Sequence, residues 1–154
     1  MKLELVTNKT ISKLYNLLQL YLHDLSNYFP IDFDNKTATY KYDDLESYTK
    51  NQSKLAYLIK KDNNVIGFSL IDILNDTNII QEMFILNNYK NKGYGKEAVF
   101  LIFNKHKGNW LVKAVPCSKK AENFWTKTIS EYTNNNYVLE HTGKYNRPEY
   151  RFNN

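Results

Sequence analysis

The sequence predicts a mixed α/β fold in which a mostly antiparallel central sheet is flanked by helices. Three strand-like runs between residues 55 and 86 are separated only by short Asn/Asp turns, which predicts an antiparallel meander. An apolar helix then separates the third run from a strand at residues 110–115, which predicts a parallel crossover in the same sheet. The chain has 154 residues and no low-complexity linker, so we expect one domain over residues 1–154.

The N-terminal third is expected to contain a strand and two helices. Residues 2–6 alternate weakly as a short strand, and Thr7-Asn8 offers N-cap side chains for the helix that follows. That helix has the apolar spacing of one amphipathic face, carried by Ile11, Leu14, Tyr15, Leu18, Leu22 and Leu25. It should end before Pro30. Asp43 followed by Glu46 indicates a capping box for a short second helix.

The predicted meander consists of strands at residues 55–60, 65–74 and 79–86. Its turns are Asp62-Asn63-Asn64 and Asn75-Asp76-Thr77-Asn78, whose residue types favour tight turns. The three strands should therefore follow one another directly in the sheet.

Glu82 lies inside the third strand of the meander, among apolar residues. Its expected neighbours on the same face of the strand are Ile80, Phe84 and Leu86. Such a flank should desolvate the carboxylate and raise its pKa. A buried carboxylate is costly unless it has a partner or a chemical role. The other interpretation is a glutamate at an edge position whose carboxylate reaches water.

A glycine- and lysine-rich turn follows the third strand, with the sequence Tyr89-Lys90-Asn91-Lys92-Gly93-Tyr94-Gly95-Lys96-Glu97-Ala98. Glycines at a strand-to-helix junction let backbone N–H groups approach a ligand closely. The lysines of this turn lie near a helix N-terminus, where cations are unfavourable unless an anion binds beside them. The turn therefore indicates phosphate binding, with a solvated Lys/Asn loop as the alternative.

The C-terminal half is expected to form a buried helix, a strand, another helix and a hairpin. Residues 98–103 are apolar all round, and Gly108 should end their helix. After the strand at residues 110–115, Ser118 is a suitable N-cap. The next helix should bury a face made of Ala121, Phe124, Trp125, Thr128, Ile129 and Tyr132. Beyond the Asn134-Asn135-Asn136 turn, residues 137–142 and 149–152 should pair as the hairpin.

Composition and charge exclude several classes of protein. No apolar run approaches the roughly 18 residues that a membrane helix needs, and the start lacks the regions of a signal peptide. A single cysteine, Cys117, excludes an intrachain disulfide and favours a cytoplasmic location. The net charge of +5 favours an anionic ligand, but scattered lysines argue against nucleic acid as a partner. The three histidines are far apart, so no metal site is expected.

A literal match to the dinucleotide fingerprint G-x-G-x-x-A occurs at residues 93–98. That fingerprint should close the first strand of a parallel βαβ unit, with an acidic residue about 20 positions further on. Here it follows an antiparallel meander, and residues 114–118 contain no acid. The match is therefore not interpreted as a nicotinamide site.

The ordered set of features resembles the GNAT superfamily of N-acetyltransferases over nearly the whole chain. The resemblance rests on the strand Glu82-Met83-Phe84-Ile85-Leu86, the turn Lys90-Asn91-Lys92-Gly93-Tyr94-Gly95, and Trp110 and Phe124-Trp125 in the elements that follow. It implies a GNAT-like acyl-CoA N-acyltransferase fold, acetyl-CoA as co-substrate, and an amine acceptor. It also implies that Glu82 is the general base, that the turn holds the pyrophosphate on backbone amides, and that the preceding strand pairs with the pantetheine arm.

The same resemblance assigns residues to the two substrates. The implied contacts with acetyl-CoA are Phe84, Ile85, Lys90, Asn91, Lys92, Gly93, Tyr94, Gly95, Lys96, Ser118 and Asn123. The cluster at the end of the first helix is one expected wall of the acceptor pocket, with Tyr21, Asp24, Ser26 and Tyr28; a solvated helix terminus is the other interpretation. The wider acceptor region, residues 21–48, is rich in Asp and Tyr and suits a cationic amine.

Three positions depart from the family pattern and keep two functions open. Lys90 stands where Arg or Gln is usual, Ser118 where many members have Asn, and Trp125 where many have a Tyr that protonates the leaving thiolate. Indole cannot usefully donate that proton. The first function is an N-acetyltransferase that acts on a primary amine by direct transfer in a ternary complex. The second is a non-catalytic acyl-CoA-binding sensor. Either protein is expected to be a monomer or a homodimer.

Overall fold

The computed structural model describes all 154 residues and contains a seven-stranded sheet with helices on both faces. The strands of this sheet are β1 (Lys2–Leu5), β4 (Lys54–Lys61), β5 (Asn64–Leu74), β6 (Thr77–Ile85), β7 (Asn109–Lys113), β8 (Val138–Thr142) and β9 (Arg147–Asn153). Two short strands, β2 (Phe33–Asp34) and β3 (Thr39–Tyr40), form a separate ribbon. The helices are α1 (Ile11–Leu25), α2 (Tyr94–Lys105) and α3 (Lys119–Thr133), with 3-10 helices at Leu45–Thr49 and Asn87–Tyr89.

The strand order β1-β4-β5-β6-β7-β9-β8 confirms the predicted mixed, mostly antiparallel sheet. The meander is β4-β5-β6, and the only parallel pair is β6 with β7, which are joined through α2. Both turns of the meander have left-handed backbone at their Asn and Asp residues, at Asp62, Asn63, Asn75 and Asp76. These residue types tolerate positive φ, which explains why the turn prediction succeeded.

The two faces of the sheet bury separate hydrophobic clusters. Helix α1 covers one face, with Leu14 and Leu18 packed in a cluster that includes Phe68. Helices α2 and α3 cover the other face, where Phe103 and Trp110 pack in a T-shaped arrangement with ring centroids 4.7 Å apart. None of the three helices combines the length and the apolar content that crossing a bilayer requires.

The region before the meander differs most from the prediction. The predicted caps, Thr7 and Asn8, lie before the helix, and Thr10 is the N-cap of α1. The Thr7 carbonyl accepts the N–H groups of Thr10 and Ile11, which forms an extra turn ahead of the helix. The expected capping box is absent: Glu46 instead pairs with Lys50 at 2.7 Å, and the second helix is a five-residue 3-10 helix. The β2–β3 ribbon was not expected, because two-residue strands leave no periodic signal.

A β-bulge in β6 changes which residues share a face with Glu82. Leu70 pairs with Glu82 and Ile71 pairs with Ile80, so Gln81 is an extra residue in β6. Glu82 and Phe84 therefore face α1, whereas Ile80 packs in the α2/α3 cluster. The expectation that Ile80 lies on the same face as Glu82 is wrong, because strict alternation fails across a bulge.

The second half of β6 has one free edge. Its pairing with β7 runs only from Thr77 to Ile80, whereas its pairing with β5 continues to Ile85. On the β5 side the backbones are very close, since a Cβ on Gly67 would lie 2.1 Å from the Phe84 carbonyl oxygen. The sheet is thus split between β6 and β7 beyond Ile80, and this split positions the site.

Candidate active site

A cleft of ≈ 1440 Å³ opens where β6 leaves β7. Its walls are the C-terminal end of α1 and the segment after it, the free edge of β6, the glycine turn, the first turns of α3, and Arg147 at the start of β9. Because all of these walls meet at the split in the sheet, residues that are far apart in sequence come together there.

The N-terminus of α2 presents free backbone donors to this cleft. Gly93 is the N-cap, with φ of 81°, and no side chain caps the helix. The N–H groups of Tyr94, Gly95 and Lys96 bond to no protein acceptor, and the first intrahelical bond runs from Glu97 N–H to the Gly93 carbonyl. Three free amides and the positive end of a helix dipole form a site suited to phosphate oxygens.

The two glycines of the turn have different structural roles. Gly93 adopts left-handed backbone, which glycine tolerates best. Gly95 lies against α3, where an added Cβ would be 3.2 Å from the Phe124 ring. Gly95 therefore permits close packing of α2 on α3 and keeps the amides next to the first turns of α3.

The lysines of the turn are less free than their sequence positions indicate. Lys96 pairs with Glu131 at 2.8 Å, and Lys90 pairs with Asp24 at 3.2 Å. Lys90 Nζ also lies 5.4 Å from the centroid of the Phe84 ring. Lys92 carries no ion pair and is exposed, with its Nζ 5.9 Å from the Tyr89 ring. Two of the three cations already have partners within the chain.

The free edge of β6 offers further backbone groups. Leu86 N–H bonds to the Ile66 carbonyl on β5, so alternation along the strand directs the N–H of Ile85 towards the open edge and that of Phe84 towards β5. Both residues line the cleft. Phe84 therefore contributes its ring to the cleft, and Ile85 contributes its backbone N–H group.

Glu82 is held in the cleft by a phenol from α1. Tyr21 Oη donates to Glu82 Oε2 at 2.5 Å, and the Tyr21 ring packs edge-on against Phe68. Burial raises the pKa of Glu82 to about 7, although the hydrogen bond from Tyr21, the charge of Arg147 and the nearby Tyr42 hydroxyl oppose the shift. Near neutral pH this carboxyl can both accept and release a proton, as a general base requires.

Further phenols and acids extend the network around Glu82. Burial raises the pKa of Tyr42 and of Tyr48 above their ordinary range, so both remain protonated donors. Tyr48 Oη donates to Asp72 at 2.7 Å, and the bulged Gln81 donates to the same carboxylate at 3.1 Å. The bulge is therefore anchored by a side-chain bond beside Glu82.

Two cleft residues, Tyr42 and Arg147, were not identified individually from the sequence. Tyr42 lies within the expected acceptor region, but nothing in its neighbourhood distinguishes it from the other tyrosines. Arg147 precedes a proline in a segment predicted only as part of a hairpin. The one sequence feature that could have singled out Arg147 is composition, because it is one of only two arginines in a lysine-rich chain.

Most other residues expected at the site also lie in the cleft. Asp24, Tyr28, Asn91 and Asn123 line it, whereas Lys92, Tyr94 and Ser26 are outside the lining. The Ser26 hydroxyl donates to the His23 carbonyl at 2.7 Å, as a helix-terminal serine does.

The start of α3 contributes Ser118 and Trp125 to the cleft lining. Ser118 is buried, and its Oγ accepts the Ala121 N–H at 3.2 Å, which confirms it as the N-cap of α3. Trp125 also reaches the lining, but its side chain is buried in the α2/α3 cluster. No cluster of His, Cys, Asp and Glu side chains in the chain could hold a metal ion.

Comparisons with known proteins agree with this geometry. Residues 15–129 match the model of the Acetyltransferase (GNAT) family, which is most of the chain. No curated protein is significantly similar to the chain in sequence.

Solved structures share the fold at low sequence identity. An acetyltransferase from Thermus thermophilus has a TM-score of 0.72 at 13% identity, over 100% of this chain and 98% of that one. The PaiA N-acetyltransferase of Thermoplasma acidophilum, in complex with coenzyme A, has a TM-score of 0.59 at 13% identity, over 100% of both chains. The spermidine N-acetyltransferase of Vibrio cholerae, in complex with CoA and spermine, has a TM-score of 0.60 at 14% identity, over 97% of this chain and 92% of that one. The family match and the cleft together establish that this chain belongs to the GNAT acetyltransferase family and is an N-acetyltransferase.

Proposed function

We propose that this protein transfers the acetyl group of acetyl-CoA directly to a primary amine in a ternary complex, with Glu82 as the general base. One observation carries the proposal: the half-buried Glu82, with its pKa raised to about 7, lines the same cleft as the free amides at the N-terminus of α2. The amides suit the pyrophosphate of acetyl-CoA, and the free edge of β6 suits its pantetheine arm.

A base is needed because the acceptor is protonated at neutral pH. An amine with a pKa near 10 is almost entirely ammonium at pH 7, and freeing the base form costs roughly 4 kcal/mol. In the proposed step Glu82, directly or through water, takes a proton from the amine. The neutral amine nitrogen then forms a bond to the thioester carbonyl carbon, and the carbon–sulfur bond breaks to release the CoA thiolate. The attacking nitrogen gives up its second proton to water, which leaves the neutral amide. The Ile85 N–H is the group we assign to polarising the carbonyl.

The CoA thiolate can leave with little help from a general acid. A thiol with a pKa of roughly 8.5 leaves as a thiolate far more readily than an alkoxide would. Trp125 is buried among apolar side chains and offers no hydroxyl, so no proton donor is assigned at that position. Transfer without a tyrosine there is slower in this scheme but chemically complete, because solvent can protonate the released thiolate.

The test is acetylation of a panel of primary amines by the wild type, Glu82→Gln and the control Glu140→Gln. Glu140 is an exposed acid on β8, away from the cleft. We expect Glu82→Gln to lower kcat/KM by about 100-fold or more at pH 7, the usual contribution of a general base. The wild-type value should rise with pH through about 7, following Glu82 ionisation.

Two outcomes would contradict the proposal. Full activity in Glu82→Gln would remove Glu82 from the role of base. A rise in Tm with acetyl-CoA but no acetylation of any amine would instead support the sensor interpretation of this fold.

Further properties stay predictions from the sequence. They are a single domain over residues 1–154, a monomeric or homodimeric state, and a cytoplasmic location inferred from one free cysteine, Cys117.

A further inference from the structure

Arg147 lies beside the proposed base, across the split in the sheet. Its Nε donates to the Ala114 carbonyl at 3.0 Å, just beyond the end of β7. Ala114 follows Val112 by two residues, as Glu82 follows Ile80, and Ile80 pairs with Val112. Because Gln81 is an extra residue in β6, Glu82 lies about one residue short of this level, and Arg147 and Glu82 are near one another along the sheet. The electrostatic influence of Arg147, which lowers the pKa of Glu82, agrees with this proximity.

The guanidinium of Arg147 has no anionic partner in the protein. Its Nε makes the bond to Ala114, and neither Nη atom bonds to a protein group. The other arginine, Arg151 on the same strand, pairs with Glu149 at 3.2 Å. Arg147 is half-buried and lines the cleft, so both Nη atoms are available to a ligand.

Some of the acids near the acceptor end already have partners within the chain, which weakens the sequence-based expectation of a cationic acceptor. Asp24 is paired with Lys90, and Asp44 with Lys54 at 2.9 Å. Asp72 accepts hydrogen bonds from Tyr48 and Gln81. Cationic side chains outnumber acidic ones in the cleft lining. Apart from Glu82, Asp43 is the one acid of the cleft lining without an ion pair, so a polycation would meet few free carboxylates there.

We propose that the acceptor amine carries a carboxylate close to its amino group, as an amino acid does, and that Arg147 binds this carboxylate. The inference rests on the proposed function. A guanidinium with two free Nη atoms matches a carboxylate with two parallel hydrogen bonds. Held in this way, the acceptor has its amino group in the cleft that Arg147 and Glu82 both line. Aromatic residues of the cleft lining, Tyr28, Phe29 and Tyr145, provide contacts for an apolar side chain.

The test compares acceptors that differ only in the carboxylate. Phenylalanine is paired with phenethylamine, and leucine with 3-methylbutylamine, each at saturating acetyl-CoA. The wild type should favour the carboxylated member by about 10- to 100-fold in kcat/KM, the range for charged hydrogen bonds. Arg147→Gln should abolish this preference, mainly by raising KM for the amino acid. Arg147→Lys should retain part of it, and Arg151→Gln should retain all of it.

Folding of each variant is checked by the rise in Tm with acetyl-CoA, which Arg147→Gln should preserve. A wild type that acetylates the plain amines as well as the amino acids overturns the inference and leaves the proposed function intact. Equal loss on both members of a pair in Arg147→Gln also overturns it, because Arg147 would then act through Glu82 or the fold. Acetylation of no amine at all, with acetyl-CoA still bound, overturns the proposed function and the inference together.

Discussion

The cleft has two walls that are built in different ways. The wall assigned to acetyl-CoA consists mainly of backbone groups from one continuous segment, from the free edge of β6 to the first turn of α2. The acceptor wall consists of side chains from distant elements, with Tyr21 on α1, Tyr42 before the 3-10 helix, and Arg147 on β9. Backbone donors survive most substitutions, whereas a wall of side chains can be altered one residue at a time. Variants of the two walls should therefore fail in different ways.

The largest expected effect on ligand binding is on the acetyl-CoA wall, in the variant Gly93→Asp. The added carboxylate would lie at the N-terminus of α2, where it would compete for the free amides and repel the pyrophosphate. We expect acetyl-CoA affinity to fall by about 100-fold, equivalent to about 2.7 kcal/mol. Isothermal titration with acetyl-CoA measures this loss, and KM for the amine at saturating acetyl-CoA should barely change.

Gly143→Asp is the matched control for this prediction. Gly143 has a φ of 68°, close to the 81° of Gly93, and an added Cβ would have no neighbour within 4 Å at either position. Both variants place the new side chain at a similar positive φ, but Gly143 is outside the cleft lining. Equal weakening of acetyl-CoA binding in both would mean that strain, and not the anion site, accounts for the loss.

A smaller effect is expected on the acceptor wall, where Glu82→Gln should stabilise the protein. The pKa of Glu82 rises from 4.5 to about 7 on folding, so the folded state holds the proton more tightly than the unfolded state. The stability this confers is present at low pH and is lost as pH rises through about 7. With allowance for partial solvation, we expect Glu82→Gln to raise the free energy of unfolding by about 1 to 2 kcal/mol at pH 8 and hardly at all near pH 4.5.

Urea unfolding at the two pH values measures this difference. The same substitution should then lower activity and raise stability, as expected when a functional group is held in an unfavourable environment. A stability difference that is independent of pH would mean that burial does not perturb this carboxyl.

The smallest effect is expected from Tyr21→Phe, which removes one hydrogen bond to Glu82. That bond favours the ionised form, so its loss should raise the pKa of Glu82 further. We expect kcat/KM to fall a few-fold at pH 7 and to recover at pH 9, as the acid limb of the pH profile moves upwards. Tyr15→Phe, at an exposed position on the same helix, should leave the profile unchanged. A uniform loss at all pH values in Tyr21→Phe would assign Tyr21 a role in binding the acceptor instead.

Much of the fold was predictable because local chemistry and tertiary structure agree there. The Asn and Asp turns adopt the positive φ that these residues tolerate, and Ser118 caps α3 through its own hydroxyl. The segment before the meander was less predictable, because its two-residue strands are held by neighbours more than by periodicity. No local sequence pattern distinguishes Arg147 or Tyr42 either, so these two residues were identified only when the fold placed them in the cleft.

The candidate site was predictable in part on each wall. Glu82 and the glycine turn are adjacent in sequence, so pattern and resemblance could identify them together. The expected free cations were only partly found, since Lys90 and Lys96 pair with Asp24 and Glu131. The partners in these two ion pairs are separated by 66 and 35 residues in the sequence, so no local sequence pattern indicates them.

The bulge at Gln81 makes the position of Glu82 tolerant of one change in the length of the chain. Without Gln81, Glu82 would follow Ile80 directly, and adjacent residues of a regular strand point to opposite faces. The carboxylate would therefore still face α1 after an in-frame deletion of Gln81, whereas the hydrogen bond from Gln81 to Asp72 would be lost. A sequence comparison that requires fixed spacing between Ile80 and Glu82 would report a shifted site, although the base would keep its place in the cleft.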